Sequence, residues 1–120
     1  MVKVTNTQAH AYCDALSKHL TCTGLLGYGI ARNMHKLQDA AREYIEIYST
    51  LYAKYAERQP DGSMLLDQNN QEAMAAFNKA LEPIAFIEQD VDIFMVPMKE
   101  AIGQLTAGDM LDLDFMLIDN

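Results

Sequence analysis

The sequence predicts an α+β fold that is mostly α, with one long central helix, shorter helices and a small antiparallel sheet. Three observations predict it: a sustained helical stripe over about 24–58, helix-start signals elsewhere in the chain, and short runs in which apolar and polar residues alternate. The chain has 120 residues, half of them hydrophobic, so we expect a single domain, 1–120, with a substantial core.

The central helix is predicted from apolar and aromatic residues whose spacing alternates between three and four. Its members are Ile30, Met34, Leu37, Ala41, Tyr44, Tyr48, Leu51 and Tyr55. Such spacing marks one face of a helix, and at ~1.5 Å per residue this helix is roughly 50 Å long. Gly24, Gly27 and Gly29 crowd its start. No β-run precedes them and no Gly-Lys-Ser/Thr sequence follows, so we interpret them as close packing against the preceding helix and not as a phosphate loop.

Shorter elements are placed by capping pairs and by changes of period. Helices are predicted over about 6–20, 70–82 and 98–105, and strands over about 2–4, 63–66 and 90–96, the three strands forming the sheet. The pair Thr106 and Asp109 favours a terminal helix near the C-terminus. The alternating residues Leu111, Leu113, Phe115 and Leu117 also fit a strand, but we favour the helix because of the capping pair and the lack of β-branched residues.

The net charge of −8 is concentrated in the second half of the chain. Residues 1–58 carry a balance of +2, and residues 59–120 carry −10. Phosphate binding requires Lys and Arg, so direct binding of nucleic acid is disfavoured. The acidic half has two interpretations, general solubility or an acidic face aimed at a basic partner. The candidates for such a face are Glu88, Asp90, Asp92, Asp112 and Asp114. On a strand, Val91 and Ile93 would face the core while Asp90 and Asp92 face water.

Four tyrosines close together on the central helix are candidates for an oligomer or partner interface. They are Tyr44, Tyr48, Tyr52 and Tyr55. Tyrosine is enriched at interfaces because it buries a large ring and keeps a hydroxyl for a partner. Helix 70–82 covers only about half of the predicted central helix, so the rest is covered by other elements of the chain or by a second chain. A homo-oligomer is therefore one hypothesis.

No pattern of residues in the sequence predicts a catalytic centre, a metal or another cofactor. His10, Cys13, His19 and Cys22 are the best metal ligands by type, but the two cysteines are nine residues apart and form no zinc knuckle. Cys13 and His10 lack a nucleophile elbow or an oxyanion loop. We interpret the cysteines as buried thiols.

The expected compartment is the cytoplasm. Two cysteines are too few for a disulfide scaffold. The chain has neither an apolar signal region at its start nor about 18 consecutive apolar residues, so we expect no membrane association.

Several stretches carry a resemblance to a known group of proteins. They are Ala31-Arg32-Asn33-Met34-His35-Lys36-Leu37, the tyrosines 44, 48 and 55, Ala53-Lys54-Tyr55-Ala56, Pro60-Asp61-Gly62, Val91-Asp92-Ile93 and Phe115-Met116-Leu117-Ile118. In this order they resemble a family of short, uncharacterised proteins encoded by phages and prophages of Gram-positive bacteria. Gly27 and Gly29 depart from the family pattern. The resemblance implies a phage origin, a helix-dominated fold and an infected bacterium as the setting; it implies no activity.

Two main functional hypotheses follow from these features, and an enzyme or a small-ligand binder is kept as a third. The first is a non-catalytic phage protein that inhibits a host defence nuclease or another nucleic-acid-handling protein by presenting its acidic surface to a basic one. Acids that repeat along a strand lie at a spacing comparable to that of backbone phosphates. The second is a structural or assembly factor that acts through helix-mediated oligomerisation.

Overall fold

The structure, a computed structural model, describes residues 1–119. In chain order its elements are β1 (Val2–Thr5), α1 (Asn6–Ser17), α2 (Gly24–Ala40), α3 (Arg42–Tyr55), β2 (Glu57–Arg58), β3 (Met64–Leu65), α4 (Gln71–Ala85), β4 (Glu88–Val91), β5 (Val96–Pro97), a 3₁₀ turn (Met98–Glu100), α5 (Ala107–Asp112), a second 3₁₀ turn (Asp114–Met116) and β6 (Leu117–Ile118). The mostly helical α+β class is confirmed.

The predicted single long helix is not confirmed, because the backbone breaks at Ala41. Its φ of −109° and ψ of 21° separate α2 from α3. Neither proline nor glycine is present there, so the local sequence does not cause the break. The two halves instead pack on different partners: α2 lies against α1 and β4, and α3 lies against α4. The predicted stripe is still the inward face, since Ile30, Leu37, Ala41 and Tyr44 are buried.

The predicted antiparallel sheet of 2–4, 63–66 and 90–96 is confirmed for its first and last strands and wrong for the middle one. β1 pairs antiparallel with β4, so that Val2 lies opposite Val91, and β5 pairs parallel with β6. β3 instead pairs with β2 across the turn at Pro60-Asp61-Gly62. Gly62 has a φ of +89°, which glycine adopts without a steric penalty. Pairing of β3 with β2, its neighbour in sequence, costs little loop-closure entropy. This hairpin forms in place of the predicted pairing of β3 with strands distant in sequence.

Three helix starts follow the capping chemistry of the sequence. Thr5 with Gln8 and Thr106 with Asp109 form complete capping boxes before α1 and α5. Asn70 caps α4 by accepting a hydrogen bond from the backbone N–H of Ala73. Helix α4 also continues past Pro83, and its last turn is held by burial of Ala85.

The C-terminal segment is a short helix followed by a strand, where a longer terminal helix was predicted. Helix α5 ends at Asp112, and β6 begins at Leu117. The buried residues Leu113, Met116 and Leu117 fill the main core, and pairing of β6 with β5 places them there. The favoured helix is therefore present only as far as Asp112, and the alternative strand through Leu111, Leu113, Phe115 and Leu117 is wrong, since of these residues only Leu117 lies in a strand.

The apolar residues form two clusters. The main core lies among α1, α2, β1, β4 and the C-terminal elements and includes Leu16, Leu26, Ile30 and Leu113. The second cluster lies between α3 and α4 and is built on Tyr44, Leu66, Phe77, Leu81 and Ala85. Ile45 packs against both. Among the helices of residues 1–119, none combines the length and the apolar character needed to cross a membrane.

The glycines at the start of α2 have different neighbours from those predicted. A Cβ on Gly29 would lie 2.5 Å from Cγ2 of Val96 and 3.1 Å from Cε of Met116, and one on Gly27 would lie 2.3 Å from the carbonyl oxygen of Cys22. Helix α2 therefore approaches β5 closely at Gly29, and at Gly27 it approaches the backbone of Cys22 in the turn that precedes α2. The predicted role in close packing is right for Gly27 and Gly29 and wrong for Gly24, which has a φ of +67° and no atom within 4 Å of an added Cβ; the predicted partner, helix α1, is also wrong.

Candidate binding groove and acidic strand

Strand β4 presents two acidic side chains to solvent from one face. Lys3 lies opposite Asp90 and Thr5 lies opposite Glu88, so these four residues share the outward face of the β1–β4 pair. Val91 and Ile93 are buried and Asp90 and Asp92 are exposed, as predicted, but the strand predicted over 90–96 is interrupted: β4 ends at Val91, β5 begins at Val96, and residues 92–95 form a loop between them. Glu88 and Asp90 thus form an acidic strand face.

Lysines lie beside two of the predicted acidic residues. The Lys3 ammonium is 3.6 Å from the Asp90 carboxylate, and the Lys36 ammonium is 3.8 Å from that of Asp92. Lys36 also donates a 2.7 Å hydrogen bond to the backbone carbonyl of Asp92. Exposed pairs of this kind contribute little stability, but they reduce the negative potential. Within residues 1–119, Glu88 is the acid of this strand face without an ion pair to a lysine or arginine.

The other two acids proposed for this face lie on a different element. Asp112 ends α5, and Asp114 begins the 3₁₀ turn after it; both are exposed. No strand pairing, ion pair or hydrogen bond within residues 1–119 links them to Glu88 or Asp90. Asp109, in the first turn of α5, forms the capping hydrogen bonds with Thr106, and its carboxylate lies 3.7 Å from Nε2 of His19. The hydrogen bonds with Thr106, with a smaller effect of His19, hold the pKa of the Asp109 carboxyl below its usual range.

The predicted tyrosines face α4 of the same chain. Tyr44 is buried, whereas Tyr48, Tyr52 and Tyr55 are half-buried. The ring of Phe77 meets Tyr48 edge-on at 5.1 Å and Tyr52 at 6.2 Å. This arrangement supplies intramolecular cover for the stripe, as the sequence allowed. Its use by a second chain stays a prediction.

Tyr44, Tyr48 and Tyr52, but not Tyr55, form one wall of an open groove of about 940 Å³. The opposite wall is the flank of α4 that carries Ala75, Asn78 and Glu82, extended by Phe86 at the C-cap of the helix. These positions are three or four residues apart and span roughly 16 Å at ~1.5 Å per residue. We call this feature the tyrosine groove.

Hydrogen bonds fix both ends of the tyrosine groove. At one end the Leu66 backbone N–H donates a 3.1 Å bond to the Tyr52 hydroxyl, which ties the segment after β3 to α3. At the other end, Thr7 Oγ1 donates a 3.0 Å bond to the Ala85 carbonyl, and the Asn6 side chain donates one of 2.9 Å to the Ile84 carbonyl. The groove is thus a preformed feature of the fold.

The chemistry of the groove is aromatic and weakly polar. Tyr52 is the one groove tyrosine whose hydroxyl is hydrogen bonded within residues 1–119. Burial, with Tyr44, Asp14 and Tyr52 nearby, raises the pKa of the Tyr48 phenol above its ordinary value. Two residues at the groove margins expose much apolar surface: Leu65 is 50% exposed and Phe86 is 71% exposed. The arrangement suits binding by apolar contact and hydrogen bonding.

Phe86 and Leu65 were not singled out from the sequence. Exposure of a lone apolar residue is common and carries no local signature. The spacing of Ala75, Asn78, Glu82 and Phe86 is a helical stripe, and it is the one pattern from which this wall was predictable.

The histidines and cysteines considered as metal ligands are directed to different neighbours. The His10 ring packs 4.5 Å from that of Tyr48, and Cys13 Sγ lies 4.0 Å from the Met34 carbonyl oxygen. His19 faces Asp109. Within residues 1–119, no three His, Cys, Asp or Glu side chains converge in a way that could hold a metal ion.

Burial of Cys13 predicts a loss of stability at alkaline pH. Burial, with a smaller effect of Asp14, raises the pKa of its thiol from 9.0 to about 11. The unfolded chain releases this proton first, so the stability contribution is complete below about pH 9 and is lost as the pH rises towards 11. Urea unfolding at a series of pH values should show this fall, and Cys13→Ala should reduce its slope. If the free energy of unfolding falls equally with pH in the parent and in Cys13→Ala, the fall does not come from the Cys13 thiol.

Comparison with known proteins gives no relative for this chain. No protein-family model matches it, and neither a curated protein nor a solved structure is significantly similar. The resemblance to phage proteins therefore stays a prediction.

Proposed function

We propose that this chain is a non-catalytic binding protein that engages a partner protein with a basic surface. The tyrosine groove is the observation that carries the proposal. A preformed concave surface with tyrosine walls and exposed Leu65 and Phe86 has the composition of a protein-binding site. The acidic strand face begins two residues after Phe86, so apolar and charged contacts adjoin.

The basic partner is inferred from charge. The chain carries −8, and its second half, which holds α4 and the acidic strand, carries −10. Such a field accelerates association with a positive surface and disfavours a negative one. Nucleic-acid-handling proteins have basic surfaces of this kind, so we name a host nuclease or a related protein as the partner class. Inhibition would follow from occupying the surface that the nucleic acid uses.

A capture experiment with charge-matched variants tests this function. The tagged chain is used to capture proteins from a lysate of a Gram-positive bacterium, with and without added duplex DNA. We expect a nucleic-acid-binding protein that duplex DNA displaces. We also expect its capture to fall about tenfold or more for Glu88→Gln/Asp90→Asn/Asp92→Asn, because these changes remove both acids of the acidic strand face and the exposed Asp92 that follows β4.

The control is Glu43→Gln/Glu46→Gln/Glu57→Gln, which changes the net charge equally on exposed positions of α3 and β2. This control should retain capture. Equal loss of capture in both triple variants would show that overall charge, and not the acidic strand face, drives binding. Unchanged capture by the Glu88→Gln/Asp90→Asn/Asp92→Asn variant would exclude the acidic strand face as a binding surface. Recovery of virion proteins or of the chain alone would favour the assembly role.

A further inference from the structure

The backbone of β4 alternates between groups that bond to β1 and groups that point away from it. The Asn6 N–H donates a 3.0 Å hydrogen bond to the Ile87 carbonyl, and these two residues continue the register in which Thr5 lies opposite Glu88. In an antiparallel ladder, hydrogen-bonded and non-hydrogen-bonded pairs alternate. Glu88 and Asp90 are therefore at non-hydrogen-bonded positions, and their N–H and C=O groups point to the outer side of β4.

This outer side is an open strand edge. The sheet consists of β1 and β4, and within residues 1–119 no hydrogen bond reaches the backbone groups of Glu88 or Asp90. Both residues are exposed. The opposite edge, on β1, is shorter, because the Thr5 N–H is bonded to the Gln8 side chain and α1 begins at the next residue. We call the backbone of residues 88–90 the β4 edge.

The β4 edge matches one kind of backbone, that of an extended chain. Alternate residues of such a chain present their N–H and C=O groups to one side, at the same repeat as the β4 edge. A helix uses its own backbone groups internally and cannot pair with a strand edge. Backbone hydrogen bonds to the β4 edge therefore come from a segment in extended conformation.

The side chains of the β4 edge select the sequence of that segment. Glu88 and Asp90 lie on the outward face, where residues of an added strand stand directly opposite them. Lys3 faces Asp90 from the β1 side, and Glu88 has no ion pair with a lysine or arginine within residues 1–119. Lysine or arginine opposite these two acids is favourable. A second copy of β4 would place acid opposite acid, and charged edges of this kind resist self-pairing.

A small cavity beside the β4 edge accepts the side chain between those two cations. Its volume is about 160 Å³, and its lining includes Gln89, Ile47 and Ile87. The two isoleucines are 43% and 49% exposed, so the cavity opens to solvent. Gln89 points to the face opposite that of its neighbours Glu88 and Asp90. In an added strand, the residue opposite Gln89 lies on this same face, next to the cavity, where an apolar side chain fits.

We propose that the β4 edge binds an extended basic segment of a partner protein as a third strand. The segment carries lysine or arginine opposite Glu88 and Asp90 and an apolar residue opposite Gln89. The inference rests on the proposed function and specifies how the acidic strand face engages the partner, through backbone hydrogen bonds as well as charge.

Amide hydrogen exchange of the full chain with a synthetic peptide tests the proposal. The peptide alternates lysine and valine over about seven residues, enough to span the β4 edge when extended. We expect exchange of the Glu88 and Asp90 amide protons to slow about tenfold or more at saturating peptide. The Lys3 N–H points to the opposite edge, and its exchange should change less than about twofold. A peptide with glutamate in place of lysine should protect none of these amides.

Two N-methylated peptides separate backbone pairing from charge. Both keep every lysine, but one carries methyl groups on the lysine backbone nitrogens and the other on the valine backbone nitrogens. Only one of these two sets of N–H groups faces β4 in an added strand. One methylated peptide should therefore bind about tenfold or more weakly, and the other should bind within about twofold of the parent peptide. Loss with the lysine set identifies an antiparallel strand, and loss with the valine set identifies a parallel one.

Substitutions at Asp90 make the same separation in the protein. Asp90→Asn and Asp90→Pro both remove the carboxylate, but only proline removes an N–H of the β4 edge. Proline is tolerated where the N–H of a strand residue faces solvent, so the pairing of β1 with β4 should persist. We expect Asp90→Pro to bind the peptide about fivefold or more weakly than Asp90→Asn does. Matching circular dichroism spectra would show that both variants are folded.

Three outcomes would overturn the inference: no protection of the Glu88 and Asp90 amides at saturating peptide, equal binding of the parent and both methylated peptides, or equal binding by the two Asp90 variants. Protection of these amides in the free chain that increases with its concentration would identify a second copy as the occupant and would also overturn it.

These results are distinguishable from failure of the proposed function. If lysate capture is lost in Glu88→Gln/Asp90→Asn/Asp92→Asn but is equal in Asp90→Pro and Asp90→Asn, the proposed function stands and the added strand is wrong. If the peptide binds as expected but no nucleic-acid-binding protein is captured, the β4 edge binds a strand and the proposed partner class is wrong.

Discussion

Replacing Asn33 with leucine is expected to lower the free energy of unfolding by about 3 kcal/mol. Asn33 is fully buried in α2. Its side-chain oxygen accepts a 2.7 Å hydrogen bond from the Phe94 N–H, and its amide donates one of 3.0 Å to the Phe94 carbonyl. Leucine is close in size but leaves both backbone groups without these partners, and each unpaired buried group costs about 1–3 kcal/mol.

Urea unfolding followed by circular dichroism measures this loss. Asn69→Leu is the matched control, because Asn69 is exposed and its backbone N–H, not its side chain, makes the local hydrogen bond to Asp67. The control should change stability by less than about 0.5 kcal/mol. A loss below about 1 kcal/mol for Asn33→Leu would show that water replaces the missing partners and that the 92–95 loop is not held by this side chain.

The second large effect is expected for Gly29→Ala, at about 2 kcal/mol of destabilisation. The added methyl group would lie 2.5 Å from Cγ2 of Val96, which is itself fully buried. Valine has a short, stiff side chain that cannot move aside, so α2 and β5 must separate. The energetic cost of this overpacking exceeds the gain of about 1 kcal/mol that alanine brings over glycine inside a helix.

A double-mutant cycle identifies the clash as the cause. The loss of stability in Gly29→Ala/Val96→Ala should be smaller than the sum of the losses in the two single variants by more than about 1 kcal/mol. The reason is that Val96→Ala removes the clashing methyl group. Gly108→Ala is the control, because the nearest atom to its added Cβ is 3.9 Å away. That variant should be as stable as the parent or more so. Additive losses in the cycle would locate the strain elsewhere.

The two variants also report on the functional surface. Asn33 and Gly29 hold the segment from Phe94 to Val96 against α2, on the side of the fold that carries the main core. The tyrosine groove belongs to the second cluster, between α3 and α4. A moderate loss of stability in the main core should therefore leave the binding of a folded variant unchanged. This independence separates residues that maintain the fold from those proposed to bind.

The sequence by itself determined the mostly helical class, the inward stripe and the starts of α1 and α5. These features depend on interactions within a few residues: the 3.6-residue period places Ile30, Leu37 and Tyr44 on one face, and the capping boxes close between residues three apart. The alternation around Asp90 and Val91 was predictable for the same reason.

Only the tertiary structure decided the break at Ala41, the strand pairing and the tyrosine groove. At Ala41 two halves of one stripe turn to different partners, a choice that residues 40–42 do not encode. β4 pairs with β1, more than eighty residues away in sequence, and the groove needs α3, α4 and Thr7 together. The buried Asn33 has its role because distant Phe94 presents backbone groups to it. Such features arise from contacts between remote segments, where packing outweighs local preference.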